Sequence, residues 1–133
     1  MSEANIEAVR RGLEAFNSDE WEESVGIMHP DVEWHDAPGL PGARVHRGRD
    51  ALIAWWREMH ETLEGFYAKP ERYFDAGDQV VVFLRTGGRG SASGVEVHRE
   101  IAQIFTVRNG LVTKVVGYDD RADALTAVGL SEA

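Results

Sequence analysis

Asp120 and Arg99 are the side chains whose types and placement most clearly suit acid/base chemistry. Both lie in or beside strand-forming stretches that a hairpin would bring together, and a guanidinium beside Asp120 would hold the carboxylate ionised as a general base. Two structural alternatives stay open. The two residues could form a cross-strand ion pair that contributes little to stability. Asp120 could also be the N-cap of a helix that begins at Arg121.

Other chemistries find little support in the residue types and spacings. The chain has no cysteine, which excludes disulfides, thiolate metal ligands and a cysteine nucleophile. The histidines are scattered, and none forms a His-x-x-x-His or carboxylate pairing, so we predict no metal site. The glycines of segment 87–94 are not followed by Gly-Lys-Ser/Thr. We therefore predict no phosphate loop and no cofactor.

An apolar pocket is predicted near the acid/base groups. Gln103 lies between Ile101 and Phe105 on one face of a strand pattern, where a buried amide must find hydrogen-bond partners. Large side chains elsewhere are candidates either for the core or for the pocket wall: Trp34, Trp55, Trp56 and Met59. We expect one of the adjacent tryptophans to face the sheet and line the pocket, and the other to pack on the first helix. The predicted ligand is a small, mostly apolar molecule.

Length and composition bound the remaining possibilities. The 133 residues predict a single domain, 1–133, and a net charge of −9 argues against nucleic acid as a partner. No apolar run approaches the roughly 18 residues of a membrane span. The polar, acidic N-terminus lacks the features of a signal peptide, so a cytoplasmic location is expected.

The elements that must position these residues follow from periodicity and turn signals. Apolar residues at steps of three and four predict helices, and alternation between Gly/Pro-rich breaks predicts strands. The predicted helices are 3–17, 18–28 (with Ser18 as N-cap), 49–64 and 121–128. The predicted strands are 31–36, 66–76, 79–86, 95–107 and 111–118, with 37–47 and 87–94 as loops. This order predicts an α+β fold, in which three helices of the N-terminal half wrap a curved antiparallel sheet and leave an internal pocket.

The Asn109-Gly110 dipeptide sets a strand register. It predicts a two-residue type I′ hairpin in which Arg108 faces Leu111. Counting outward on both strands gives three further pairs that share the pocket face: Gln103 with Val116, Ile101 with Tyr118, and Arg99 with Asp120.

Four stretches of the chain resemble the SnoaL-like family of the nuclear-transport-factor-like superfamily, whose fold is an α+β cone. The stretches are Met28-His29-Pro30-Asp31-Val32-Glu33-Trp34-His35-Asp36, Arg47-Gly48-Arg49-Asp50-Ala51-Leu52, Phe105-Thr106-Val107-Arg108-Asn109-Gly110 and Asp120-Arg121-Ala122-Asp123-Ala124-Leu125. The superfamily includes isomerases, polyketide cyclases, dehydratases, epoxide hydrolases and members without chemistry.

The resemblance implies roles for three residues. Asp120 matches the catalytic aspartate of the SnoaL-like cyclases. Asp36, otherwise an exposed turn residue, matches the proton-shuttling aspartate of the ketosteroid isomerases. Gln103 takes the place of an aspartic acid that donates to the oxyanion in those isomerases. Their helix-one tyrosine falls at Gly12 here, so half the oxyanion hole is missing unless Tyr118 replaces it.

Two functions therefore remain open. The first is a cofactor-independent isomerase, cyclase or lyase with Asp120 and Asp36 as candidate bases. Its substrate would be oriented or polarised by Gln103, Tyr118 and Arg99. The second is a non-catalytic ligand-binding or dimerising module of the same fold. The resemblance also implies a homodimer that pairs through the outer sheet face. We expect that face to carry Ala102, Ile104, Thr106, Thr113 and Val115.

Overall fold

Helices and strands follow the predicted order, with one added strand. A computed structural model describes residues 2–131, and within that range the chain forms four helices and six strands. The helices are α1 (Ser2–Asn17), α2 (Trp21–Gly26), α3 (Arg49–Thr62) and α4 (Arg121–Ala127). The strands are β1 (Met28–His35), β2 (Val45–Arg47), β3 (Leu63–Ala76), β4 (Gln79–Gly90), β5 (Glu96–Arg108) and β6 (Leu111–Tyr118). None of the helices in this range is long and apolar enough to cross a membrane.

The six strands form one sheet in the order β2-β1-β6-β5-β4-β3. Every neighbouring pair is antiparallel except β1 and β6, which run parallel. The predicted α+β class is thus confirmed. The sheet differs from the predicted antiparallel one in having a single parallel pair. This topology places β5 and β6 at the centre of the sheet, so the candidate residues of β5 have strands on both sides.

The two faces of the sheet are covered differently. On the inner face, α1 and α3 present apolar stripes that include Val9, Leu13 and Trp56, and these pack on β4, β5 and β6 in the larger core cluster. On the outer face, α4 covers a smaller cluster with Ala124 and Leu125. The space between α1, α3 and the sheet therefore lies inside the domain.

The Asn109-Gly110 turn forms as predicted, because both residues have positive φ angles of 52° and 78°. Arg108 faces Leu111, as the turn requires. The register then shifts, because Thr106 faces Lys114 while Val107 faces Val112, which leaves Thr113 as an extra residue in β6. One extra residue moves the rest of β6 by one position and reverses which face each side chain takes.

Three local predictions were wrong. The predicted loop 87–94 is strand as far as Gly90, where β4 ends. Ser18 does not cap the second helix; Asp19 has a φ of 59°, and Glu20 occupies the N-cap position without a side-chain bond. The predicted loop 37–47 contains β2, which pairs with the end of β1 and sets Trp34 opposite His46. This short edge strand matters because it brings a second polar side chain to the end of β1.

Candidate functional site

A cavity of about 460 Å³ lies between the inner sheet face and the helices. That volume is within the range of small-molecule sites. Its wall is mostly apolar and aromatic. The predicted residues that line it are Trp34, Asp36, Trp55, Trp56, Met59, Arg99, Ile101 and Gln103. Their location is as expected, and their roles stay predictions.

Aromatic rings build one wall of the cavity. The Trp34 ring lies 6.0 Å from Trp55, 6.1 Å from Trp56 and 6.2 Å from Phe105, measured between centroids. The sequence predicted that one of the adjacent tryptophans would line the cavity and the other would pack on the first helix, but both line the cavity. Such a wall suits a flat, apolar ligand.

Asp36 is the carboxylate that the cavity contains. Its side chain is only 1% exposed, so the reading as an exposed turn residue is wrong. Oδ2 accepts the Arg44 backbone N–H at 3.2 Å and lies 2.9 Å from His46 Nε2. With the carboxylate ionised, the tautomer that carries hydrogen on Nε2 donates this second bond. Oδ1 is buried and has no hydrogen-bond partner within residues 2–131.

His46 is the residue of this site that the sequence analysis missed. Its side chain is 4% exposed and its ring stacks on Trp55, with centroids 4.3 Å apart and planes at 24°. In β2 only this central residue is buried, between exposed Val45 and Arg47. A three-residue strand flanked by Pro and Gly is too short to be separated from a loop by pattern alone.

Gln103 lies on the inner face of β5 between Ile101 and Phe105, as the alternation predicted. The side chain is 8% exposed, and its Oε1 has no hydrogen-bond partner in the described chain. Buried amides rarely lack partners, so an unpaired one in a cavity wall indicates a group kept for a ligand. Asp36 and Gln103 are thus two buried polar groups in one apolar cavity.

The arginine of β5 pairs with a different aspartate from the one predicted. The Arg99 guanidinium contacts Asp119, whose other carboxylate oxygen accepts the Gly39 N–H at 2.7 Å. The predicted pair of Arg99 with Asp120 was therefore wrong. The extra residue Thr113 in β6 is the reason, since it shifts everything after it by one position.

Asp120 lies outside the cavity and caps α4. Its Oδ1 accepts the backbone N–H groups of Ala122 at 2.8 Å and Asp123 at 3.3 Å. These are the first-turn donors that an N-cap satisfies. Of the two structural alternatives, the N-cap is the one observed. The predicted role of Asp120 as a base has no geometric support.

Tyr118 lies on the opposite face from the prediction. It faces Ala102 across the sheet rather than Ile101, and it packs against the outer cluster beside α4. It cannot replace the missing isomerase tyrosine. At Gly12, a Cβ would lie 2.6 Å from the Ile27 side chain, so Ile27 occupies the adjacent space.

The outer face also differs from the predicted dimer patch. Ala102 and Ile104 are buried in the cluster that α4 covers, and Val115 belongs to the inner core. The reversal of face within β6 explains why Val115 lies on the inner side.

His35 hydrogen-bonds Glu33 at 2.7 Å and holds the pKa of that carboxyl below its usual value. In residues 2–131, no three His, Asp or Glu side chains are grouped as metal ligands would be.

The sheet, the wrapping helices and the enclosed cavity define an α+β cone of the nuclear-transport-factor-like class. The chain belongs to the SnoaL-like domain family, whose family model matches residues 9–115. No curated protein sequence matches it significantly.

Several solved structures share this fold. Bal32a, from a soil-derived mobile gene cassette, is 25% identical with a TM-score of 0.80, over 88% of this chain and 89% of that one. TerC co-crystallised with polyporic acid is 24% identical with a TM-score of 0.78, over 94% and 98%. A Catenulispora acidiphila protein with a ketosteroid isomerase-like fold, in complex with trimethylamine, is 18% identical with a TM-score of 0.76, over 93% of each chain.

Proposed function

We propose that this protein is a cofactor-independent enzyme that moves a proton on a carbonyl compound with an apolar frame. One observation carries the proposal. Asp36 is buried in the wall of an apolar cavity with one oxygen held by two donors and the other oxygen without a partner. A carboxylate fixed in this way has one oxygen left to accept a proton.

Asp36 is the proposed general base. Its Oδ1 would take a proton from the carbon next to the substrate carbonyl. The C–H electrons form a carbon–carbon double bond, and the carbonyl oxygen becomes an enolate oxygen. The carboxylic acid formed at Asp36 then returns the proton to the same carbon or to a conjugated one, so no co-reactant is needed.

Gln103 is the proposed donor to the enolate oxygen. Its side-chain amide can donate through Nε2 and needs no change of protonation state to do so. His46 is a positioning residue, since it reaches Asp36 and not the ligand: it donates to Oδ2, and its ring is held flat on Trp55. The cavity thus contains a base and a donor, with a positioning group behind the base.

Solvent hydrogen exchange tests this proposal directly. The protein is incubated with 2-tetralone, a flat aromatic ketone, in D₂O, and loss of the protons next to the carbonyl is followed by NMR. We expect the wild-type protein to accelerate exchange and Asp36→Asn to lower the rate by about 10²–10⁴-fold. The matched control is Asp120→Asn, the same change at an aspartate outside the cavity, which should exchange like the wild type.

A second function is favoured by a different observation. The isomerase tyrosine is absent at Gly12 and Tyr118 lies on the outer face, so Gln103 is the only predicted donor of the oxyanion hole that lies in the cavity. A binding protein that holds an apolar ligand without turnover does not need a second oxyanion donor. If 2-tetralone quenches tryptophan fluorescence while its exchange rate equals that of the protein-free solution, the enzyme proposal is wrong and the binding module stands.

A further inference from the structure

Arg99 introduces a positive charge into a mostly apolar cavity wall. Among the lining residues of the described chain it is the one lysine or arginine, and its side chain is 32% exposed. One terminal nitrogen of the guanidinium contacts Asp119 Oδ1, and the remaining N–H groups make no hydrogen bond to any residue in 2–131. A guanidinium has five donors in a planar fork, so most of its capacity is open.

The position of Arg99 marks one end of the cavity. Val97 and His98, which precede Arg99 in β5, are exposed lining residues, as is Pro41 in the loop whose Gly39 lies beside the guanidinium, so the cavity opens to solvent on this side. Gln103 lies further along the same strand face. Four residues of strand place the Cα atoms of Arg99 and Gln103 roughly 13 Å apart. The guanidinium therefore lies towards the opening, and the buried amide lies deeper.

Asp119 does not depend on Arg99 alone. Its Oδ2 accepts the Gly39 N–H at 2.7 Å, which ties the 37–44 loop to the end of β6. The loop packs so closely that a Cβ at Gly39 would lie 2.7 Å from Asp119 Oδ1 and 2.9 Å from Arg99 Nη2. Asp119 therefore keeps a hydrogen-bond partner if Arg99 turns its free donors towards a ligand.

We propose that Arg99 binds an acidic group, a carboxylate or sulfonate, at the end of a ligand whose apolar body fills the cavity. The inference rests on the proposed use of the cavity as a ligand site, and it adds to the class of ligand: the apolar compound also carries an acidic group, which the neutral probe 2-tetralone lacks. In the absence of ligand, Asp119 is the counter-ion of Arg99 and accepts a hydrogen bond from one terminal nitrogen of its guanidinium.

Two fluorescent probes with the same ring skeleton test this assignment. 1-Anilinonaphthalene-8-sulfonate carries an anionic group, and N-phenyl-1-naphthylamine is its neutral counterpart. We expect Arg99→Gln to weaken binding of the sulfonate by about tenfold or more, the loss that accompanies a hydrogen bond to a charged group. Binding of the neutral probe should stay within about twofold, since the apolar wall is unchanged.

Control variants separate recognition from a general charge or folding effect. Arg89→Gln makes the same charge change on the same hairpin, where Arg89 pairs with Glu96 outside the cavity, and it should leave both probes unaffected. Asp119→Asn removes the competing carboxylate and should strengthen sulfonate binding by about two- to fivefold, the scale of an exposed ion pair. This variant carries the test if Arg99→Gln does not fold.

Three results with the variants would overturn the inference, and two with the wild-type protein would do the same. In the first, Arg99→Gln binds the sulfonate as Arg89→Gln does. In the second, Arg99→Gln lowers the affinity for both probes by the same factor. In the third, Asp119→Asn weakens sulfonate binding. If the wild-type protein binds the neutral probe but not the sulfonate, Arg99 is not an acid-binding residue, although the cavity remains a ligand site. If it binds neither probe, the proposed function fails as well.

Discussion

The Asp36 carboxylate and the His46 imidazole meet at 2.9 Å, with 1% and 4% of their side chains exposed. Asp36 follows the last residue of β1 and His46 is the central residue of β2, so a three-residue edge strand completes the pair. A buried polar pair of this kind is costly to assemble, because both groups give up water and must satisfy each other. Its place in the wall of an apolar cavity is the strongest indication of function in this protein.

Replacing His46 should affect both stability and chemistry. We expect His46→Leu to lower the free energy of unfolding by about 1–3 kcal/mol, because Asp36 loses a buried donor. In the exchange assay kcat should fall with little change in KM. The matched control is His35→Leu, whose partner Glu33 is 36% exposed and which should cost clearly less stability than His46→Leu, since exposed pairs contribute little. Urea denaturation of both variants checks this; equal losses would contradict the special role of His46.

Gln103 should show the opposite combination of effects. Its Oε1 is buried without a partner, so Gln103→Leu should leave stability unchanged or higher, since an unsatisfied polar group is replaced by an apolar one. Exchange catalysed by Asp36 should nevertheless fall by about 10²–10³-fold, the usual effect of losing an oxyanion donor. Urea denaturation and the NMR exchange assay measure the two quantities. A large loss of stability would show instead that the amide has a structural role.

Asp120 should matter for stability and not for chemistry. Asp120→Ala removes the cap of α4 and should cost about 1 kcal/mol, whereas Asp120→Asn keeps an acceptor and should be nearly silent. Melting temperatures of the two variants make the comparison. A loss of exchange activity in Asp120→Asn would contradict the cap assignment and return Asp120 to the list of candidate bases.

Tyr73 should make the free energy of unfolding depend on pH in the alkaline range. Burial raises the pKa of its hydroxyl above the usual value of 10.0. The unfolded chain therefore loses this proton at a lower pH than the folded one, so the contribution of Tyr73 is present below pH 10 and declines as pH rises through the folded-state value. Tyr73→Phe should flatten the fall in unfolding free energy above pH 10. An unchanged alkaline slope would show that Tyr73 ionises equally in both states.

The homodimer stays a prediction, and the structure changes where it could form. Ala102 and Ile104 lie under α4 and cannot be its contacts. Val95 and Val97 on the β4–β5 hairpin are 58% and 46% exposed, which makes that hairpin the better candidate surface. Light scattering should give about twice the chain mass of 14.8 kDa. A value near 14.8 kDa itself at micromolar concentration would refute it.

Local signals in the sequence were sufficient for the order of every element except β2, for the Asn109-Gly110 turn and for the face of β5 that carries Gln103. Each depends on periodicity or turn chemistry within a few residues, which act on the backbone wherever the segment lies. The N-cap at Asp120 belongs to the same class, and it was among the alternatives because its acceptor and donors are neighbours in the chain.

Contacts between distant segments decided which residues meet in the site. One extra residue, Thr113, reversed the faces of the rest of β6 and so placed Tyr118 on the outer face. For the same reason Arg99 pairs with Asp119 instead of Asp120. Burial of Asp36 required the β1–β2 pairing, which no sequence pattern within either segment predicts. Periodicity determines which side chains share a face of one element. Register and edge pairing, which depend on the packing of the whole sheet, determine which partners those side chains receive.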